Sequence, residues 1–350
     1  MGLPQIMIHF RTAGSSAIRR SARGQVVLLA EEEETLSKSF SRWEQAEQAG
    51  LSERLARMVR LCFLGNPAKV LVVAYRSGNA TAALQSSAGL AEGGWLCAPD
   101  MSPQTLAEYV RLKRQEGRAL RAVLSDPTGE PDCAGIVNFT TAGIRILLDE
   151  QEEAILSGEY CARIAGVLAG ISLAQSATFY PLPEVRSFTA AEDAEEEIAA
   201  GHLILDQGGT GARLARAVTS LVTLTEGEDS AFQKIKIVEG VDLIRSDIRT
   251  VFENDYVGKV LNDYDSKLLL VTAINSYFAG LEGSVLDAGR RNRATVDFDA
   301  QKQWLEQHGA DTENMSDTAI LSANTGSKVF LSASLRFADA MEDLTLEITM

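Results

Sequence analysis

In the first half of the chain, apolar positions come in short unbroken runs separated by stretches of helical spacing. The runs Gln25–Ala30, Lys69–Tyr75, Gly94–Ala98 and Ala119–Ser125 read as strands, and VLVVAY in the second is apolar on both faces. Between them, Leu55, Met58, Val59 and Cys62 mark a helix with Ser52 as its cap and Gly65-Asn66-Pro67 as its stop. A weaker helical pattern covers Ala80–Ala91. Another covers Gln104–Glu116, with Ser102 as expected cap, Pro103 at the first helical position and Gly117 beyond the end. Strands that alternate with helices and are apolar on both faces predict a mainly parallel sheet covered by helices. Gly135–Thr140 and Ile144–Leu148 supply further strands and a buried helix over Tyr160–Leu173 covers one face, so residues 25–180 are expected to form an α/β unit.

The second half has longer periods. An acidic helix over Ala190–Ala200 leads into a hairpin, with strand His202–Asp206, a Gly-rich turn and strand Arg213–Leu224, which places a connecting β-hairpin region at 181–228. Phe232, Ile235, Val238, Val241, Ile244, Ile248 and Val251 then form one stripe along a long helix. A second helix runs from about Ser266 to Leu281, with Leu270, Ile274, Tyr277, Phe278 and Leu281 inward. Ala294–Phe298 reads as a short strand and Ala300–His308 as a short helix, followed by the polar loop GADTENMSDTA. Val329, Leu331, Ala333, Leu335 and Phe337 alternate as a strand. The expected fold class is therefore α/β joined to α+β, a sheet core with covering helices followed by a helix-rich C-terminal part, 229–337, with a small β-sheet.

Both chain ends keep the two-residue period. At the C-terminus, 338–350, Leu344, Leu346, Ile348 and Met350 alternate with Thr345, Glu347 and Thr349. At the N-terminus, 1–24, Ile6, Ile8 and Phe10 share one side and Met7 and His9 the other, followed by the small-residue and basic segment TAGSSAIRRSARG. Chain ends usually fray, so terminal strands call for partners. The last strand can fold back as a hairpin on its own chain or cross to a neighbouring subunit and complete a sheet there. A heterologous contact of the second kind builds rings or helical filaments.

Composition narrows the functional classes. A net charge of -15 argues against a nucleic-acid surface or an anionic membrane as principal partner. Cys62, Cys97, Cys133 and Cys161 are scattered without C-x-x-C spacing and do not cluster with His9, His202 or His308, which fits core thiols in a reducing compartment better than a disulfide frame or zinc site. Residues 1–30 lack a secretory signal, and the uncharged stretch Ile164–Pro183 is too short in its apolar part and too broken by Gln175, Pro181 and Pro183 for a span. Gln207-Gly208-Gly209-Thr210-Gly211 has neither P-loop nor dinucleotide spacing, and no G-x-S-x-G elbow is present. Acidic groups such as Asp193-Glu195-Glu196-Glu197 sit at helix starts, where they complement the dipole. The basic cluster Arg290-Arg291-Asn292-Arg293 suits either an acidic partner surface or a solvated turn. No catalytic site, cofactor or metal is expected from these residues.

Four blocks also carry a family resemblance: LPQIMIHFRTAGSSAIRRSARGQVVLL, YCARIAGVLAGISLAQSATFYPLPEV, the helical block from KIKIVEGVDLIRSDIRTVFENDYVG to FAGLEGSVLDA, and the closing FADAMEDLTLEITM. In order and spacing the chain resembles the tail sheath proteins of contractile bacteriophages and phage-tail-like bacteriocins. The resemblance implies a structural subunit, made in the bacterial cytoplasm and assembled into a virion tail or phage-tail-like particle. Stacked hexameric rings would surround an inner tail tube, with baseplate and tail terminator proteins as further partners. It implies that Ile6–Phe10 and Leu344–Met350 are donated strands, and that Thr295, Val296 and Phe298 with Val329, Leu331, Ala333, Leu335 and Phe337 form the acceptor. It further implies that the helical block faces the tube and the α/β unit forms the outer shell. Two other readings compete: an enzyme on a doubly wound sheet binding a nucleotide or small acid at the strands' carboxyl ends, and a filament scaffold that needs no tube.

Overall fold

The computed structural model describes residues 24–225 and 229–349, so Ile6–Phe10 and Met350 lie outside the described residues. Two compact units are defined, one from residues 24–246 together with 339–349, the other Asp247–Ala338. Among the described residues no helix is long and apolar enough to cross a membrane, and no group of three or more His, Cys, Asp or Glu could hold a metal ion.

The larger unit is built on a seven-stranded sheet of order β10-β6-β5-β4-β1-β3-β2. Its strands are β1 (Gln25–Glu31), β2 (Leu36–Phe40), β3 (Lys69–Tyr75), β4 (Trp95–Cys97), β5 (Ala122–Leu124), β6 (Ile136–Phe139) and β10 (His202–Leu203). All pairs are parallel except β2 with β3. Strand β1 is buried on both faces for a simple reason. Val26, Leu28 and Ala30 join a cluster with helix α2 (Glu53–Phe63) and helix α5 (Ser157–Gly170), while Val27 and Leu29 join one with α3 (Ala80–Ala91) and α4 (Pro103–Gln115). Side chains that alternate in direction along a strand must both find cover, which gives three layers. The short helix α1 (Trp43–Glu47) precedes α2.

Helix α5 is buried on every side from Glu159 to Leu168. Its crossing with α2 depends on missing side chains: a Cβ on Gly166 would fall 2.1 Å from the Cys62 carbonyl oxygen, and one on Gly65 2.1 Å from the Gly166 carbonyl carbon. Beneath α5, Arg163 Nε and Tyr160 Oη each donate to Glu184 Oε1 at 2.7 Å, and all three residues are buried. A charge pair removed from water needs such geometry, because desolvation is offset only by direct hydrogen bonds.

Several expectations are corrected here. The larger unit does not stop near residue 180, because His202 and Leu203 pair with Asn138 and Phe139 and extend the same sheet. Ile144–Leu148, as β7, lies instead in a separate three-stranded sheet of order β8-β7-β9, with β8 (Gln151–Ile155) and β9 (Val185–Ser187). The acidic helix is α6 (Ala194–Ala199), and its start is fixed by Asp193, whose side chain accepts from Glu195 and Glu196 N–H. The hairpin is shorter than expected, with β11 (Leu205–Gly208) paired to β12 (Gly211–Leu214). Beyond Leu214 the backbone goes to unlike partners: Thr219 N–H to Gln233 O, Ser220 N–H to Ile136 O, and Val222 and Thr223 N–H to Asp132 Oδ1. Ser52 caps α2 through Leu55 N–H, whereas Ser102 makes no cap and donates to Gln104 Oε1.

Helix α7 (Ile235–Val251) begins in the larger unit and the unit boundary falls inside it. Its apolar stripe is only part of what it buries, since Lys236, Glu239 and Asp242 are buried too. Glu239 accepts from Arg121 at 2.7 Å and from Trp95 Nε1 at 3.1 Å, and Arg114 Nη1 lies 2.7 Å from Asp242 Oδ2. Burial pushes the Glu239 carboxyl above the usual range, and the Arg121 charge opposes that rise.

In the unit Asp247–Ala338, the single π-helical turn Phe252–Tyr256 is followed by α8 (Tyr264–Leu281), capped by Asp263. Strand β13 (Arg293–Val296) precedes α9 (Phe298–Gln307) and α10 (Asp317–Ser322), and β14 (Leu331–Ser334) closes a two-stranded sheet with β13. The segment leading into β14 is held by buried polar groups. Lys267 Nζ on α8 donates to Gln301 Oε1 at 3.1 Å and to Thr325 Oγ1 at 3.3 Å, and burial lowers its pKa.

Candidate assembly interface

The C-terminal segment is bonded at its root and exposed beyond it. Asp339 pairs with Lys234, Glu342 Oε1 accepts from both Ser176 Oγ and Thr178 Oγ1 at 2.7 Å, and Asp343 pairs with Arg216. Thr178 Oγ1 in turn accepts from Ala217 N–H at 3.0 Å. From Leu344 to Thr349 the chain adopts no strand, and every residue is exposed. Leu344, Leu346 and Ile348 are 87%, 71% and 74% exposed. Of the two courses open to this strand, a hairpin on its own chain is not the one adopted among the described residues. A run of alternating large apolar side chains held open to water is what a strand awaiting a partner presents.

The acceptor residues expected from the resemblance are partly brought together. Thr295 and Val296 lie in β13, and Leu331 and Ala333 in β14, with Thr295 opposite Ser332 and Val296 opposite Leu331. Val329 and Leu335 flank β14 outside the ladder. Phe337 makes an isolated bridge to Leu286. Phe298 is a correction, because it is the first residue of α9: the Asp297 side chain accepts from Ala300 N–H and turns the chain into a helix before Phe298 can extend the strand. In the basic cluster Arg290, Arg291 and Arg293 are exposed, Arg293 opens β13, and Asn292 Nδ2 donates to Asp287 O while Asn292 Oδ1 accepts from Arg336 N–H.

A two-stranded sheet is marginal by itself. This one is half-finished on its apolar face as well, since Ala294 is buried while Leu331 is half-buried and Ala333 exposed. Sequence reading missed the root residues Ser176, Thr178, Arg216 and Lys234, which have nothing in common as a pattern. The acidic stretch before the last strand, Asp339 with Glu342 and Asp343, was the one visible signal.

At the carboxyl ends of β1 and β4, where strand order reverses and a doubly wound sheet would receive a ligand, the space is taken by an ion network. Arg54 contacts Asp100 at 2.5 Å and Glu159 at 2.6 Å, Arg57 reaches Glu159 and Glu153 at 2.7 Å each, and Asp100 accepts from Glu31 N–H. The guanidinium of Arg54 is held above its usual range by its bonds to Asp100, against burial.

A dense larger unit, a two-stranded sheet with an open edge among the described residues and an exposed, alternately apolar C-terminal segment suit a structural subunit of a repeating assembly. Comparison with known proteins supports that class. Residues 227–350 match the family model of the phage tail sheath C-terminal domain. The chain is 29% identical over 364 residues to the tail sheath protein of Clostridium phage phiCD119, covering 100% of this chain and 99% of that one. Its fold is similar to the contracted helical sheath of the anti-feeding prophage, with TM-score 0.67, 13% identity and coverage of 100% and 99%. It also resembles the sheath tail protein of Desulfitobacterium hafniense, with TM-score 0.64, 13% identity and coverage of 85% and 92%. The C-terminal part of the chain, 227–350, thus matches the phage tail sheath C-terminal domain, and over its whole length the chain is similar to contractile tail sheath proteins.

Proposed function

We propose that this sheath subunit polymerises as stacked hexameric rings around an inner tail tube, with baseplate and terminator proteins at the ends, and that strands donated at both termini join the rings. Assembly in the bacterial cytoplasm and release into a tail or tail-like particle follow from that reading. The observation that carries it is the arm at 344–349, apolar at every second position, exposed, and rooted by ion pairs one residue earlier. Burying its three large apolar side chains in a neighbour is worth about 1.5 to 3 kcal/mol each before ordering costs. On this reading the core domains repack into more favourable contacts during contraction, while the joined strands act as hinges that stay paired.

Negative-stain electron microscopy of the full chain, alone and with its tube protein, tests this. Hollow cross-striated cylinders are expected, and deletion of residues 344–350 is expected to leave a folded subunit that forms none. Cylinders from the truncated protein would end the strand-donation reading.

A further inference from the structure

The small sheet has two edges, and the structure closes one of them. Ala294 N–H donates to Asn275 Oδ1 at 2.7 Å and Asn275 Nδ2 donates to Ala294 O at 3.0 Å. Asn275 lies on α8, so a side-chain amide occupies the β13 edge as a neighbouring peptide would. Both polar groups of one residue in an antiparallel ladder point the same way. With Ala294 facing Asn275, Arg293 and Thr295 face β14, and their partners Ser334 and Ser332 face back. By the same alternation Leu331, Ala333 and Leu335 turn their N–H and C=O groups outward, away from β13. None of these groups has a hydrogen-bond partner among the described residues.

We infer that Asn275 directs strand addition: a neighbour's strand enters only at the β14 edge, and the strand that enters there is Leu344–Ile348 of another copy of this chain. The inference rests on the strand-donation reading above and specifies its geometry. Length and pattern both match. The open edge runs along β14, Leu331–Ser334, and the Leu335 that follows it, a span that Leu344–Ile348 can cover. Leu344, Leu346 and Ile348 would extend the apolar face begun by Ala294, Val296, Leu331 and Ala333, covering the exposed Ala333. Thr345 and Glu347 would extend the hydroxyl-rich face, where Thr295 and Ser332 already lie with their hydroxyls 3.3 Å apart. Residues 6–10 have Met7 and His9 in the corresponding polar-face positions and continue that face less well.

Disulfide trapping in assembled cylinders decides the matter, because adjacent strands lie within bridging distance and next-nearest strands do not. Thr345→Cys or Glu347→Cys is combined with Ser332→Cys or Ser334→Cys on β14, and separately with Arg293→Cys or Thr295→Cys on β13; all six positions are exposed. The native thiols are buried and add no background. Oxidised cylinders should yield covalent multimers with the β14 cysteines and none with the β13 cysteines, whereas Asn275→Ala should add multimers through β13. Multimers through β13 in the otherwise unchanged chain would overturn the edge assignment and leave strand donation standing. Linkage of Met7→Cys or His9→Cys to β14, with the C-terminal cysteines silent, would overturn the choice of strand. Cylinders linked through neither strand would overturn the inference and the donation reading together. A folded Asn275→Ala chain that assembles without any β13 product would show that Asn275 does not close that edge.

Discussion

The seven-stranded sheet and the two-stranded sheet are opposite solutions to the same problem. In the first, strand β1 is covered on both faces and hydrogen-bonded on both sides, to β3 and β4. In the second, one edge is occupied by a side chain and the other by nothing among the described residues. The first is self-sufficient within one chain. The second has an open edge among the described residues, so if a neighbour's strand fills it, its stability will depend on the concentration of copies. On the proposed strand donation, the difference lets a sheath combine dense subunits with links between them: the larger sheet is completed by its own chain, and the open sheet would take a strand from a neighbour.

If the dense unit is self-sufficient, its stability should respond sharply to one buried group. Glu184→Leu leaves Arg163 charged and without its carboxylate, at 2% exposure. Removing one partner of a buried pair costs about 3 to 5 kcal/mol. Chemical denaturation of the monomer should show that loss, and a change under 1 kcal/mol would mean that the pair is not holding α5 in place. The same measurement on Ser332→Ala, in the exposed small sheet, should show no change beyond about 0.5 kcal/mol. Equal losses at the two positions would erase the contrast.

A smaller effect is expected where α2 and α5 cross. Gly166→Ala places a methyl group against the backbone of Cys62, which has no flexible end to move aside. Overpacking of this sort costs about 1 to 3 kcal/mol, and relief of the clash requires the helices to separate. Separation should also expose Cys62, whose thiol pKa is pushed up to about 12 by burial. Thiol labelling of the native variant should therefore rise above that of the unchanged chain; unaltered labelling together with unaltered stability would show that the crossing has slack.

What the sequence revealed follows the same division. Alternating directions of buried side chains made VVLLA and VLVVAY legible as central strands, and Ser52 as the cap of α2. Polar edge strands were not legible: LSKSF of β2 and QEEAI of β8 bury one end residue each, so their two-residue pattern carries almost no apolar signal. The β-branched run Val218–Thr223 was legible as a strand and is not one, because separate tertiary bonds claim its backbone residue by residue. In the assembly interface, the alternation of Leu344, Leu346 and Ile348 was plain, whereas Asn275 was invisible. One asparagine in an amphipathic helix has no pattern, and only the position of Ala294 opposite it gives the amide a role.

The smallest expected effect concerns the root of the free arm. Glu342 is held by two hydroxyls and lies 3.8 Å from Arg216 Nε, with its side chain 8% exposed. Arg216 itself is 38% exposed, so solvent screens that charge pair and it adds little stability. Glu342→Ala should therefore lower monomer stability by no more than about 1 kcal/mol. Its consequence should be local, because among the described residues the arm from 344 to 349 has no partner and the contacts of its root are what hold it to the chain. Amide hydrogen exchange at Ala340–Asp343 should quicken in the variant while the β1 and β3 amides stay protected. Cylinders should form more slowly, since an arm without a fixed root must search a larger volume for a neighbour's sheet. Unchanged exchange at 340–343 would show that Asp339 with Lys234 and Asp343 with Arg216 suffice to anchor the arm, reducing Glu342 to one redundant contact among three.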